Sequence, residues 1–595
     1  MDQKILELIK QVQKPGRYIG EEYNAVKKDW AQPFLRVLLA FPDMYEVGMS
    51  YLGMRILYGI LNERKDVVCE RVFAPWPDME TLLRKHACPI FGLESKKPIK
   101  EFDIIGFSFA FELNYTNALN ILDLGGVPMR SRDRGDGDPL VMAGGPSCYN
   151  PEPMADFIDA FVIGDGEEAI VDIVEVCKRF VDTGHRTQKR IRDRKGLLKE
   201  LATIDGVYVP SLYDVEYATD GTIHYFKPQA TGAPSRVKKR LVKDLDSAYY
   251  PVKQIVPHIQ IVHDRIVLEI MRGCAHLCKF CQAGATCLPG RERSVEKILE
   301  LATSVYKNTG YEEISLISLS SGDHSRITEV FARLNSVFRD KAVSISMPSL
   351  RIEDITDKLP QLMREVRKAG LTFAPESGSE RLRKFINKNI AIEKLRSTVL
   401  EAYRLGWNRI KLYFMIGLPT ETENDLLETI ALAEELSNMR RQVGRGPGFI
   451  AASITAFVPK PHTPFQWYGM EPRSVIEARQ IFLKTHNPAK NKVKLDFHNL
   501  DTSLLESVFS RGDRRLGQVV AKAWEMGARL DSWGEFFNSA LWTRAFTECG
   551  ISPDFYSHRA RSYEEILPWD FIDVGISKGQ LMKWAKESEA MVVRE

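Results

Sequence analysis

Three cysteines, Cys274, Cys278 and Cys281, lie in the stretch MRGCAHLCKFCQAG, directly behind the apolar run RIVLEI. The spacing places three thiols on one loop after a strand. The chain has 9 cysteines in 595 residues, too few for a disulfide scaffold, so the cluster reads first as metal binding in a reducing compartment. A structural zinc site takes four protein ligands. No second CxxC and no clustered histidine pair follows, and Cys287 and His276 are the nearest additions. Three thiolates can instead hold three irons of a 4Fe-4S cluster and leave the fourth iron without a protein ligand, the open position that chemistry requires.

The elements that must position this loop follow from hydrophobic pattern. RIVLEIMRG, EEISLISLSSG, AVSISMPSL, GLTFAPESG, RIKLYFMIGLP and FIAASITAFVP alternate with helical stretches between about 260 and 465. Six such units suit a (βα)6 partial TIM barrel, with reactive groups gathered at the carboxyl ends of its strands. Upstream, RVLLAFPD, FDIIGFSFA, PLVMAGGPS and DAFVIGDGEE are strand-plus-turn units with helices between them, which predicts a Rossmann-like doubly wound sheet. After about 470 the strand pattern fades. Five of the tryptophans fall there (Trp524, Trp533, Trp542, Trp569 and Trp584), and the region is expected to be mainly helical, its tryptophans core rather than a stacking platform. The resulting α/β architecture is an N-terminal helix and connector at 1–30, the sheet domain at 31–185, a connector with a hairpin around Asp220-Gly221 at 186–255, the barrel at 256–470 and a helical region at 471–595.

The cysteine loop resembles the CxxxCxΦC motif of the radical S-adenosylmethionine (radical SAM) superfamily, with Phe280 as the aromatic before the last cysteine. The resemblance implies that Cys274, Cys278 and Cys281 bind the cluster and that the amino and carboxylate groups of SAM chelate the open iron. An electron then cleaves a carbon–sulfur bond to give methionine and a 5′-deoxyadenosyl radical. The cofactor supplies the difficult step, and the protein supplies orientation and water exclusion. SLSSGD (Ser318 to Asp323) stands where the family has a small or Gly-rich SAM-amino motif, so Ser320, Ser321 and Gly322 are candidates, although the Gly-Gly-Glu wording is missing. APESGSERLRK resembles the fourth-strand motif that holds the ribose and methionyl carboxylate. Glu376 and Ser377 are the candidates there, with Arg381 or Arg383 behind them. The plain alternative for Glu376 is a carboxylate at a helix start. FMIGLPTET resembles the fifth-strand segment beside the adenine, with Gly417 as candidate and an ordinary strand-to-helix turn as the alternative. FVPKPHTPFQW resembles the barrel end facing substrate.

The first domain resembles the cobalamin-binding domain often found before a radical SAM barrel. Family members that ligate cobalt use Asp-x-His-x-x-Gly, and here Asp43-Met44-Tyr45-Glu46-Val47-Gly48 carries Tyr45 in place of the histidine. A neutral imidazole ligates cobalt and a protonated phenol does not. Two readings remain: cobalamin bound without a histidine ligand, or a fold kept without the cofactor. The whole arrangement is similar to an uncharacterised bacterial group of the superfamily, some members of which are fused to or encoded beside a radical-SAM-linked protein.

Composition bounds the partners. A formal net charge of +3 gives no whole-chain field for nucleic acid or membrane. No apolar run approaches a membrane span and the N-terminus lacks a signal-peptide core, so the expectation is a cytoplasmic protein without a membrane partner. The runs RTQKRIRDRKGLLKE and RVKKRLVKD are basic. Such runs are usually solvated faces, with nucleic-acid contact as the alternative. The sequence therefore predicts a radical SAM enzyme of unknown substrate, with an electron donor such as flavodoxin or ferredoxin, and a cobalamin-dependent methyltransferase as the leading form. A cobalamin-free modifier of RNA or a ribosomal protein is the second reading, and a non-catalytic iron–sulfur redox sensor the third.

Overall fold

A computed structural model of the chain describes residues 3–30, 34–181, 191–229, 232–347 and 371–592. Strand β1 (Leu35–Phe41) is buried along its whole length, as its unbroken apolar run requires. It pairs in parallel with β2 (Val67–Phe73) and β3 (Ile104–Ser108), and β4 (Leu140–Gly144) and β5 (Ala160–Val162) extend the sheet in the same sense. β6 (Val207–Tyr208) closes that edge antiparallel. Alternate side chains serve opposite faces. Val37, Leu39, Ile104 and Met142 meet the helices Leu52–Glu63 and Gly166–Phe180, while Leu38, Ile105, Phe107 and Val141 meet Tyr115–Leu124.

Two elements of this sheet escape the sequence pattern. β2 reads VVCERVF, with Glu70 and Arg71 both buried. It is a strand because Arg71 pairs with Glu22 (2.8 Å) and Glu94 (2.7 Å), partners that local sequence does not reveal. β6 lies beyond 185, so the sheet runs on into the stretch expected to be connector. The hairpin stands where predicted, as β7 (Tyr213–Tyr217) and β8 (Ile223–Pro228). After it, β9 (Val237–Lys238) carries part of the second basic run. Lys239 is buried and donates to the carbonyls of Thr286 (2.8 Å) and Leu288 (2.6 Å), so its charge braces the chain behind the cysteine loop instead of facing solvent. Part of the first basic run, 186–190, lies outside the described residues.

The second body holds two parallel sheets. β10 (Ile266–Glu269) pairs with β13 (Glu313–Ile317), and β13 with β14 (Ser344–Ser346). Between the first two, β11 (Met271–Arg272) and β12 (Arg291–Glu292) form an antiparallel ladder that closes the base of the cysteine loop. β15 (Leu371–Glu376), β16 (Arg409–Ile416) and β17 (Phe449–Ala456) continue the parallel series. All six predicted units are strands. A further parallel strand, β18 (Val493–Phe497), pairs with β17 inside the region expected to be helical. It is an edge strand with alternating exposure, so its pattern, VKLDF, lacks the continuous apolar run of its neighbours.

The remainder of the C-terminal region is helical as predicted but is no appendage. Leu516, Val519, Val520 and Ala523 of the helix Leu516–Glu525 cover the first sheet's second face. Asp43 accepts from Trp533 Nε1 (2.9 Å) and Ser532 Oγ (3.1 Å), and Asp531 accepts from Thr116 Oγ1 (2.7 Å) and Trp542 Nε1 (3.0 Å). Trp542 and Trp569 are core residues. Ile572–Asp573 (β19) pairs with β9. Among the described residues no helix is long and apolar enough to cross a membrane.

A chain ended at residue 470 therefore uncovers one face of the first sheet and removes β18. It is expected to be insoluble or to lose its cooperative thermal transition, where the full chain shows one. A soluble fragment with a full-length-like transition would show the C-terminal region to be dispensable for folding.

Candidate active site

The cysteine loop is gripped from three directions. Asn387 Nδ2 donates to the carbonyls of His276 (2.9 Å) and Leu277 (3.2 Å). The Lys279 N–H donates to Ile386 O (3.0 Å), and its carbonyl accepts from Phe465 N (3.3 Å). The Lys279 ammonium, buried beneath the C-terminal helix Lys578–Val592, donates to Ser588 Oγ (2.6 Å), which in turn donates to Phe385 O (3.0 Å). Phe280 packs with Leu382, Phe385, Ile386, Leu418 and Phe465, which ties the loop to the ends of β15 and β16. Gly273, at φ +90°, has no room for a side chain, since a Cβ there would lie 2.9 Å from Cys287 O and from Gly290 Cα.

Burial pushes the Cys281 thiol up, and the N–H groups of Gly284 and Ala283 and the charge of Lys388 work against it. Those groups favour a thiolate, the form that binds metal. Cys287 takes another path: its surroundings are Thr286, Asp165, Lys239 and Arg291, the brace behind the loop. His276 Nε2 lies 2.9 Å from Asp323, and both sit beside Cys274, with potential ligand atoms all within 4.8 Å.

The other predicted residues collect at neighbouring strand ends. Ser320 and Ser321 are fully buried in the turn after β13. Ser321 Oγ meets Ser318 Oγ (3.0 Å), whereas Ser320 Oγ is buried with no hydrogen-bond partner. Gly322 sits in the following 3-10 turn, Ser321–Asp323. Glu376 ends β15 at φ +66°, a left-handed conformation that is uncommon for a glutamate, and its carboxylate meets Lys388 Nζ at 3.3 Å. Ser377 Oγ accepts from Ser379 N (3.1 Å). Ser379, not Glu376, caps the helix Glu380–Phe385. Arg383 donates to the carbonyls of Ser377 (3.0 Å) and Gly378 (2.6 Å), and Arg381 pairs with Asp425 (2.5 Å), so both brace this turn. Gly417, at φ +78°, donates its N–H to Glu421 (2.8 Å), whose carboxyl burial pushes up to about 7.

A cavity of about 680 Å³ lies at the carboxyl ends of the first sheet, facing β10 and β13. Val37, Leu39, Ile104, Met142 and the helical residues Ile56 and Ile170 make it largely apolar. Gly106 and Gly144 share that face of the sheet. A Cβ at either would meet nothing closer than 3.6 Å, so the two glycines leave the floor low instead of relieving a clash. The wall toward the cysteine loop is charged. Arg272, two residues before Cys274, pairs with Glu269 (2.8 Å), Asp165 (3.3 Å) and Glu167, and so joins the two bodies. Tyr45 is absent from the lining. It is buried elsewhere and donates its hydroxyl to Glu22 (2.9 Å).

Comparison with known families is decisive. The family model described as the radical SAM superfamily matches residues 268–433, and one described as radical SAM proteins, N-terminal, matches 53–210. The chain belongs to the radical SAM superfamily. An uncharacterized protein of Methanocaldococcus jannaschii is 27% identical over 81% of this chain and 90% of its own length. An uncharacterized methyltransferase of Pyrococcus horikoshii is 24% identical over 50% of the chain, which spans only 58% of that relative. The fold is similar to that of TsrM from Kitasatospora setae, a radical S-adenosylmethionine methyltransferase solved with cobalamin and a [4Fe-4S] cluster bound, with a TM-score of 0.53, 12% identity and coverage of 83% of this chain and 99% of that one.

Several residues of this radical SAM site were invisible to motif reading. Asn387, Lys388, Asp165 and Ser588 come from afar in sequence, Arg272 stands beside the cysteine motif without being part of it, and only the Asn-Lys pair so soon after Glu376 offered a hint. The Ser588–Lys279 contact yields an expected outcome. Ser588→Ala leaves the buried ammonium without that acceptor, a loss of about 1–3 kcal/mol. It should lower the thermal midpoint and speed iron loss on gel filtration of reconstituted protein. Unchanged values would mean that the C-terminal helix only lies alongside the loop.

Proposed function

We propose that this radical SAM enzyme reductively cleaves SAM at a 4Fe-4S cluster held by Cys274, Cys278 and Cys281, and that its N-terminal cavity takes cobalamin for methyl transfer. The observation that carries the reading is the convergence of three loop thiols, the orphaned Ser320 hydroxyl and the Glu376 carboxylate at adjoining strand ends. On this reading the six units expected of a (βα)6 partial barrel form one site. The donor set suits the cluster: backbone N–H groups and a cation offset the burial of Cys281, and Cys287 belongs to a different environment. When loaded, the cluster supplies the electron and the open iron that SAM cleavage needs.

The chain's own residues do the rest. Ser320 offers a buried hydroxyl that pays a desolvation cost until a polar ligand meets it. Ser321 and Gly322 present the same turn. Glu376 is held by Lys388 as an acceptor for ligand hydroxyl or ammonium groups, with Ser377 beside it. Gly417 holds the β16 end through Glu421 where the adenine is expected. Phe280 wedges the loop so that its thiols keep their places. The cavity suits a bulky, flat-faced ligand seated on glycine-lowered strand ends. Tyr45 takes no part there, which supports a site without a histidine from the Asp-x-His frame. His263 lines the wall, with Nδ1 3.2 Å from Arg265.

Anaerobically reconstituted protein should turn brown and release 5′-deoxyadenosine with dithionite. Alanine at Cys274, Cys278 or Cys281 should abolish both, and tetrahedral zinc in the oxygen-free protein would end the cluster reading. Hydroxocobalamin should co-elute with the wild type, and Gly106→Leu, which fills the floor, should lower its retention roughly tenfold or more while iron content stays unchanged. Cobalamin passing straight through the wild type would leave the cobalamin-free modifier standing, and salt-released nucleic acid in the purified protein would then point to RNA.

A further inference from the structure

Lys388 occupies a place that no motif assigns. Asn387 and Lys388 follow the helix Glu380–Phe385 and split their side chains between two structures. Asn387 donates to the loop carbonyls between Cys274 and Cys278, while Lys388 lies 3.3 Å from the Glu376 carboxylate. Both side chains of the Lys388–Glu376 pair are only 13% exposed. Lys388 is also held from its backbone, whose N–H donates to Arg383 O (2.8 Å), and Arg383 itself grips Ser377 and Gly378. The ammonium therefore has a fixed origin, one residue from the Asn387 side chain that holds the cysteine loop.

Charge makes this position consequential. A carboxylate held beside a thiolate-ligated cluster repels every electron added to that cluster, and a half-buried site screens the repulsion poorly. Glu376 sits at a left-handed backbone position, and its carboxylate is held by the ion pair with Lys388. A cation paired with the carboxylate offsets that repulsion.

We propose that Lys388 is the charge-balancing and positioning residue of the cluster site: it neutralises Glu376 at the edge of the cysteine loop, and so sets the reduction potential of the cluster as well as the placement of Glu376. The proposal rests on the reading of the three cysteines as cluster ligands.

The test uses full-length protein reconstituted without oxygen: wild type, K388M, K388R and the double variant E376Q/K388M. Iron per chain and the midpoint potential, followed by electron paramagnetic resonance, are read without SAM. K388M is expected to have a more negative midpoint and severalfold lower iron occupancy. K388R should stay near wild type, since it restores the charge. The double variant should recover toward wild type, because the carboxylate that needed compensation is gone. K388M with wild-type potential and occupancy overturns the proposal. So does a double variant no better than K388M, which would make the lysine a packing residue. A wild type that takes up no cluster would instead overturn the cluster reading itself.

Discussion

Three cysteines are confined to one short loop, and the loop that carries them has little regular structure with which to hold them in place. The rest of the site answers that constraint. A two-stranded ladder closes the loop's base, Asn387 and Phe465 hold its backbone, and Phe280 anchors its far end in an apolar cluster. Burial of the Cys281 thiol is opposed by the N–H groups of Gly284 and Ala283 and by the charge of Lys388. On the proposed cluster reading, rigid placement of the three cysteines is what keeps one metal position open, because a mobile loop would let a fourth side chain close it.

The same constraint explains why distant parts of the chain converge here. The C-terminal helix reaches the loop through Ser588 and Lys279, and the loop Phe457 to Trp467 reaches it through Phe465. On the other side, Lys239 and Tyr149 both contact the Thr286 carbonyl behind the loop. The loop is thus a meeting point of the first sheet, the second body and the C-terminal region.

Much of this was legible in the sequence, and the failures have physical causes. Strands β1, β3, β4, β5 and β10 are buried on both faces or nearly so, and that writes a continuous apolar run, while β16 alternates between buried and more open positions and was legible by its period of two. The cysteine spacing is local and specific, so the three ligand candidates stood out at once. β2 was hidden because Glu70 and Arg71 look like surface residues until Glu22 and Glu94 are found beside Arg71. β18 was hidden because an edge strand needs only one apolar face. Lys388, Arg272 and Ser588 were hidden because a salt bridge or hydrogen bond across the fold leaves no periodic trace. Tyr45 was noticed for the right substitution, but its partner, Glu22, shows that the residue serves the core and not the cavity.

The junction at Arg272 extends the argument from the loop to the cavity. A largely enclosed arginine, its side chain 14% exposed, with three carboxylates around it ties together every element that supplies one of them. Two of those carboxylates, Asp165 and Glu167, come from the first sheet's last turn and one, Glu269, from β10, so the network can be satisfied in one relative placement of the two bodies. Gly273 then admits no side chain between Arg272 and Cys274, which leaves almost no slack between cavity wall and first thiol. On the proposed function, a ligand in the cavity and one at the loop are held in fixed register. A reaction that passes a group between two cofactors needs such register, because an error of about 1 Å in the distance between reacting atoms costs on the order of 100-fold in rate.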